Sequence, residues 1–71
     1  MKKRLFICVA SWFAAPGQVQ IRTLYGTALS PDEARGMALR ELDEIAPEYK
    51  SGSKFNLLLK EIPEETIREC L

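Results

Sequence analysis

Arg4-Leu5-Phe6-Ile7-Cys8-Val9-Ala10-Ser11-Trp12-Phe13 decides the fold, because it is apolar in both of the registers a strand can present. β-Branched and aromatic residues favour extended backbone. Alternation puts Leu5, Ile7, Val9 and Phe13 on one face and Phe6, Cys8, Ala10 and Trp12 on the other. A strand apolar on both sides belongs in the middle of a sheet. We therefore place this segment, residues 4–13, centrally and build outward from it.

Ala14-Ala-Pro-Gly-Gln18 follows as a turn, with Pro16-Gly17 as its punctuation. Residues 19–29 read as a second strand, with Val19, Ile21, Thr23 and Tyr25 on one face and Gln20, Arg22 and Leu24 on the other. Gly26 is expected at a bulge or at the strand's end. Ser30-Pro31-Asp32-Glu33 then opens a helix over 31–46: Ser30 as cap, Pro31 at the first helical position, Glu33 reaching back. Ala34, Ala38, Leu42 and Ile45 form its apolar stripe, flanked by Met37 and Ala46. Leu39 falls off that stripe. Pro47 stops the helix.

Residues 48–53 read as a loop and 54–62 as a third strand with Phe55, Leu57 and Leu59 inward. A short helix over 63–70 carries Ile67 and Cys70, with Leu71 beside them. The expectation is thus one α+β domain spanning residues 1–71, ordered β-β-α-β-α. Its three-stranded antiparallel sheet has the order 2-1-3, with one main helix on one face and a short C-terminal helix.

That layout leaves one face of the central strand with more apolar surface than a single helix can bury. If Leu5, Ile7 and Val9 meet the helix, the open face holds Phe6, Cys8, Ala10 and Trp12, joined by Leu24 and Leu58. If the register is reversed, another apolar set lies outside. On the first alternative Phe6, Cys8, Trp12, Leu24 and Leu58 are the candidate partner or dimer contacts. The terminal helix, through Ile67, Cys70 and Leu71, is the competing lid.

Composition narrows the chemistry. The chain has 71 residues, ten Lys/Arg, ten Asp/Glu and no histidine. Without histidine it lacks the commonest general base and metal ligand. No metal or cofactor site is expected, and catalytic motifs are missing. Ser51-Gly-Ser-Lys54 matches Ser-x-x-Lys only in a glycine-serine loop without companion motifs. The reading is of a protein that is not an enzyme.

The balanced charge conceals a split. Lys2, Lys3, Arg4 and Arg22 are the only charges before Asp32, whereas the remainder is acid-rich. The first group is a candidate for phosphate contacts in a nucleic-acid-binding module, the alternative reading. Asp43, Glu44, Glu48, Glu64 and Glu65 are the candidate acidic surface for a basic partner. Met1-Lys-Lys-Arg before an apolar run imitates a signal peptide. The segment is read as a strand because its removal would strip the core.

Two cysteines, Cys8 and Cys70, are expected as free thiols in a cytoplasmic protein without a membrane association. The leading functional expectation is a small interaction protein that binds or inhibits a protein or ribonucleoprotein complex. By analogy of size and layout alone, such chains are common among phage and mobile-element accessory proteins, anti-CRISPR inhibitors included. A structural homo-oligomer is the other alternative.

Overall fold

The computed structural model describes residues 2–63. The expected helix over 63–70, with Ile67, Cys70 and Leu71 as its lid, lies outside the described residues but for Pro63. Five elements follow in order: β1 (Arg4–Ala15), β2 (Gln18–Ala28), α1 (Pro31–Ile45), a one-turn 3₁₀ helix (Pro47–Ser51) and β3 (Ser53–Ile62). The sheet order is β2-β1-β3, and both pairings are antiparallel. The α+β class and the 2-1-3 order are as the sequence predicts.

The choice of face is resolved by packing. Phe6, Cys8, Ala10 and Trp12 of β1 are buried with Leu24 and Ala28 of β2 and Ala34, Ala38 and Leu42 of α1. Ala34 and Ala38 let the helix backbone approach the sheet. The large even-numbered side chains, Phe6 and Trp12, fill the volume those alanines leave. Phe6, Cys8, Trp12 and Leu24 therefore form the core, not the open face. Leu58 pairs with Val9, and so lies on the opposite side of the sheet from Cys8 and Leu24, which pair with each other.

α1 starts as its sequence dictates. The Glu33 amide donates to Ser30 Oγ at 3.2 Å and Pro31 occupies the first helical turn. The Glu33 carboxylate accepts from the Leu29 amide at 3.4 Å, one residue before the cap itself. The buried stripe runs Ala34, Ala38, Leu42 and then Ala46, which ends the helix. Ile45 is thereby rotated outward and half-exposed, while Leu39 packs against the core. Gly26 sits inside β2 opposite Phe6, without a register shift there. The irregularity on this side of the sheet falls instead at the hairpin, between Phe13 and Ala15.

The predicted loop at 48–53 is largely the 3₁₀ turn, and it completes the core. Tyr49 packs edge-on against Trp12, centroids 6.1 Å apart, and beside Phe55 at 4.9 Å. Gly52 follows because nothing larger fits: a Cβ there would lie 2.7 Å from Trp12 Cδ1 and 2.8 Å from the Phe13 carbonyl oxygen. Trp12 is 1% exposed, and its indole N–H is buried without a protein partner among the described residues. Its value to the fold is therefore apolar contact.

Three substitutions test this packing by urea unfolding followed through far-UV circular dichroism, and through Trp12 fluorescence where Trp12 is kept. Trp12→Ala is expected to cost about 3–5 kcal/mol, most of what so small a domain has, because it empties the core. Loss of the fold, and not only of a contact, is the expected outcome. Gly52→Ala should cost about 1–3 kcal/mol by overpacking against Trp12. Gly36→Ala should raise stability by about 0.5–1 kcal/mol, since the site is helical and a Cβ there meets nothing within 4 Å.

Candidate functional site: the open face of the sheet

Odd-numbered residues of β1 and their partners build the face opposite α1. Four rows cross it: Thr27–Leu5–Ile62, Tyr25–Ile7–Lys60, Thr23–Val9–Leu58 and Ile21–Ser11–Asn56. Directly opposed residues of antiparallel strands share a face, so each row is a line of neighbours. Phe13 pairs with Val19 at the hairpin end, and the Lys54 ammonium lies over the Phe13 ring at 5.5 Å. Val19, Ile21, Tyr25 and Leu58 are 50, 58, 65 and 61% exposed. Leu5, Ile7, Val9 and Phe13 between them are partly covered by these neighbours.

The face spans about 33 Å along the strands and about 14 Å across, roughly 450 Å² in projection. Seven of the twelve residues in its four rows are apolar. The apolar share of the face is then roughly 260 Å², near the lower end of the about 300–600 Å² that the largest apolar patch of an ordinary monomer reaches. Its charge is one-sided. Lys54 and Lys60 are on it, whereas no described acidic residue belongs to its rows. Glu61 is on the helix side, opposite Phe6.

The acidic candidates divide. Asp43 accepts a hydrogen bond from the Tyr49 hydroxyl at 2.7 Å and an ion pair from Lys50 at 3.1 Å. It thus clamps the 3₁₀ turn to α1, a structural task that occupies its carboxylate. Glu44 and Glu48 are exposed, and Glu64 and Glu65 lie outside the described residues. The Tyr49 hydroxyl, then the Lys50 ammonium, hold the Asp43 carboxyl below its ordinary value. The same bond pushes the Tyr49 phenol up.

The basic candidates do not converge. Arg4 donates to Glu61 at 2.9 Å and to the Leu29 carbonyl at 3.1 Å. Its guanidinium also lies 5.6 Å from the Phe6 ring centre. Arg22 pairs with Ala10 while Arg4 pairs with Ala28, six residues or roughly 20 Å away along the strands. Lys2 and Lys3 precede β1 beyond Arg4, at the far end from Arg22. These four residues give no common phosphate site.

Pocket chemistry is equally sparse. A cleft of about 50 Å³ between β2 and α1 is lined by Phe6, Cys8, Leu24, Gly26 and Ala38, far below the roughly 300 Å³ of a ligand pocket. A larger, open hollow of about 370 Å³ lies at the hairpin end between residues 13–17 and 51–54 and holds one ionisable side chain, Lys54. Burial pushes the Cys8 thiol up, away from the thiolate that nucleophilic attack requires. Ser51 Oγ donates to the Glu48 carbonyl, and the Lys54 amine is held over Phe13. The Ser-x-x-Lys spacing therefore brings no base to Ser51. Among the described residues no three His, Cys, Asp or Glu side chains gather as a metal site. No described helix is long and apolar enough to cross a membrane.

The open face was legible as a surplus of apolar residues, but its membership was not. Tyr25 and Leu58 are its most exposed apolar side chains, and the alternation of Tyr25 and Ile21 with Leu24 marks those two as sharing one side. The clamp at Asp43 gives a pH test. Its folded-state pKa is depressed, so its stabilisation is present above the unfolded carboxyl value and is lost as pH falls through the folded one. Urea midpoints taken from about pH 5 down to pH 3 should fall less steeply in Asp43→Asn and in Tyr49→Phe than in the wild type.

No family model matches the chain, and no curated protein or solved structure is significantly similar to it.

Proposed function

We propose that this chain works by contact, docking on a protein or ribonucleoprotein surface through the open face of its sheet. The observation that carries the reading is the continuous apolar surface of Val19, Ile21, Tyr25 and Leu58 around Ile7 and Val9. Leaving that much aliphatic surface in water is unfavourable by about 25 cal/mol per Å², so covering it drives association. The neighbouring lysines add selectivity, since Lys54 and Lys60 favour a partner whose rim is neutral, acidic or aromatic.

Inhibition is the form of action such a chain is suited to. A body of 8.0 kDa that seals its apolar face against a target masks whatever that target surface does. The accessory or anti-defence role suggested by size and layout belongs with this reading. So does a reducing cytoplasm, where Cys8 stays a thiol. The acidic helical layer, with Glu44 and Glu48 outward, then tunes encounter by charge and is not the main contact.

The test separates the two surfaces. A tagged chain is used to capture host proteins and a differently tagged copy of itself, with and without nuclease. Ile21→Lys/Leu58→Lys should abolish nuclease-resistant capture, while Glu44→Lys/Glu48→Lys should retain it. Lysine is tolerated on edge strands, and unchanged circular dichroism certifies the fold. Capture that survives the sheet variant and fails in the helix variant transfers the function to the acidic face. Capture that is lost to nuclease and is also unaffected by the sheet variant points to a nucleic-acid bridge and contradicts the reading.

A further inference from the structure

We propose that the open face is covered by a second copy of this chain, giving a two-fold sheet-on-sheet dimer with its axis along β1. The proposal rests on the contact reading above and names what holds the same face when no target is bound: a second copy, which must dissociate before the face can seal against a target.

Area is the first argument. Two faces of about 450 Å² in projection, and more as accessible surface, together reach the roughly 1,000 Å² that separates specific interfaces from incidental contacts. Shape is the second. A twisted sheet is matched by another of the same hand, stacked about 10 Å away with strands within about 30° of aligned.

Charge then selects the axis. A two-fold axis along β1 turns each row end for end, so that β3 of one copy faces β2 of the other. In the row Tyr25–Ile7–Lys60, Ile7 meets its symmetry mate and each Lys60 reaches the Tyr25 ring of the other copy. Ammonium over an aromatic face is attractive. Leu58 likewise falls on the methyl of Thr23, and Val9 on Val9. A two-fold axis across the strands would instead set β3 on β3, bringing Lys54 and Lys60 of the two copies to one edge. With no described carboxylate on this face, nothing there would offset their repulsion. The favoured dimer buries both open faces and leaves both helices outward.

Sedimentation of the purified full chain at several concentrations should find a species of twice 8.0 kDa that dissociates on dilution. Ile21→Lys/Leu58→Lys should sediment as monomer with an unchanged circular dichroism spectrum. Orientation is read in a Cys70→Ser background with a short bis-maleimide. A mixture of Tyr25→Cys and Lys60→Cys chains should cross-link to one another in preference to Lys60→Cys with itself. Wild type that stays monomeric at every concentration overturns the proposal. Preferential Lys60→Cys self-linking overturns the axis. Monomeric wild type whose host-protein capture is still lost in the sheet variant sinks the second copy alone. Monomeric wild type whose capture is untouched by that variant sinks the contact reading with it.

Discussion

β1 is apolar on both faces, and α1 is the only long helix among the described residues available to cover one of them. That inequality governs the molecule. Fifteen helical residues extend about 22 Å and cover a strip about 10 Å wide. Once α1 and the 3₁₀ turn are laid over Phe6, Cys8, Ala10 and Trp12, Leu5, Ile7, Val9 and Phe13 must find other company. Their neighbours on β2 and β3 shield them only in part. Among the described residues the fold thus leaves one hydrophobic surface partly uncovered, and the proposed function rests on it.

What decides the covered side is volume. Both alternating sets of β1 are comparably hydrophobic, so hydropathy cannot rank them. The helix stripe is small, Ala34 and Ala38 with a single leucine at 42, and a small stripe needs large partners beneath it. Phe6 and Trp12 supply that bulk, with Tyr49 closing the far end. The remaining set is aliphatic and β-branched at Ile7, Val9, Val19 and Ile21, suited to pack flat against another sheet. Gly52 shows how tight the closed side is, because its missing Cβ is the space Trp12 and the Phe13 carbonyl occupy.

The element order, the strand order and the Ser30-Pro31 helix start were legible because each rests on local chemistry: alternation, turn residues, capping. The face assignment was not, since it depends on the volume match between two elements distant in sequence. Leu58 does lie on the open face, but beside Val9 and not with Phe6, Cys8, Trp12 and Leu24. Its side of β3 follows from the register against β1, which the 3₁₀ turn and Gly52 set, and that turn reads as an ordinary loop. Asp43 is similar: alone it is one more surface carboxylate, and its role appears only when Tyr49 and Lys50 fold back onto it. The helix end before Pro47 was legible, but the stripe gave no warning that Ala46, and not Ile45, takes the buried position after Leu42.

The account's central claim is that one face of the sheet is closed by α1 and the other is open until a partner arrives. Thiol reactivity measures it directly in a Cys70→Ser background, comparing native Cys8 with cysteines introduced at Ile21 and Leu58. In dilute solution maleimide should label positions 21 and 58 at the rate of a free thiol while Cys8 stays protected. Raising the protein concentration should slow labelling at 21 and 58. Protection of position 21 in the dilute folded chain, or labelling of Cys8 as fast as position 21, would contradict the account.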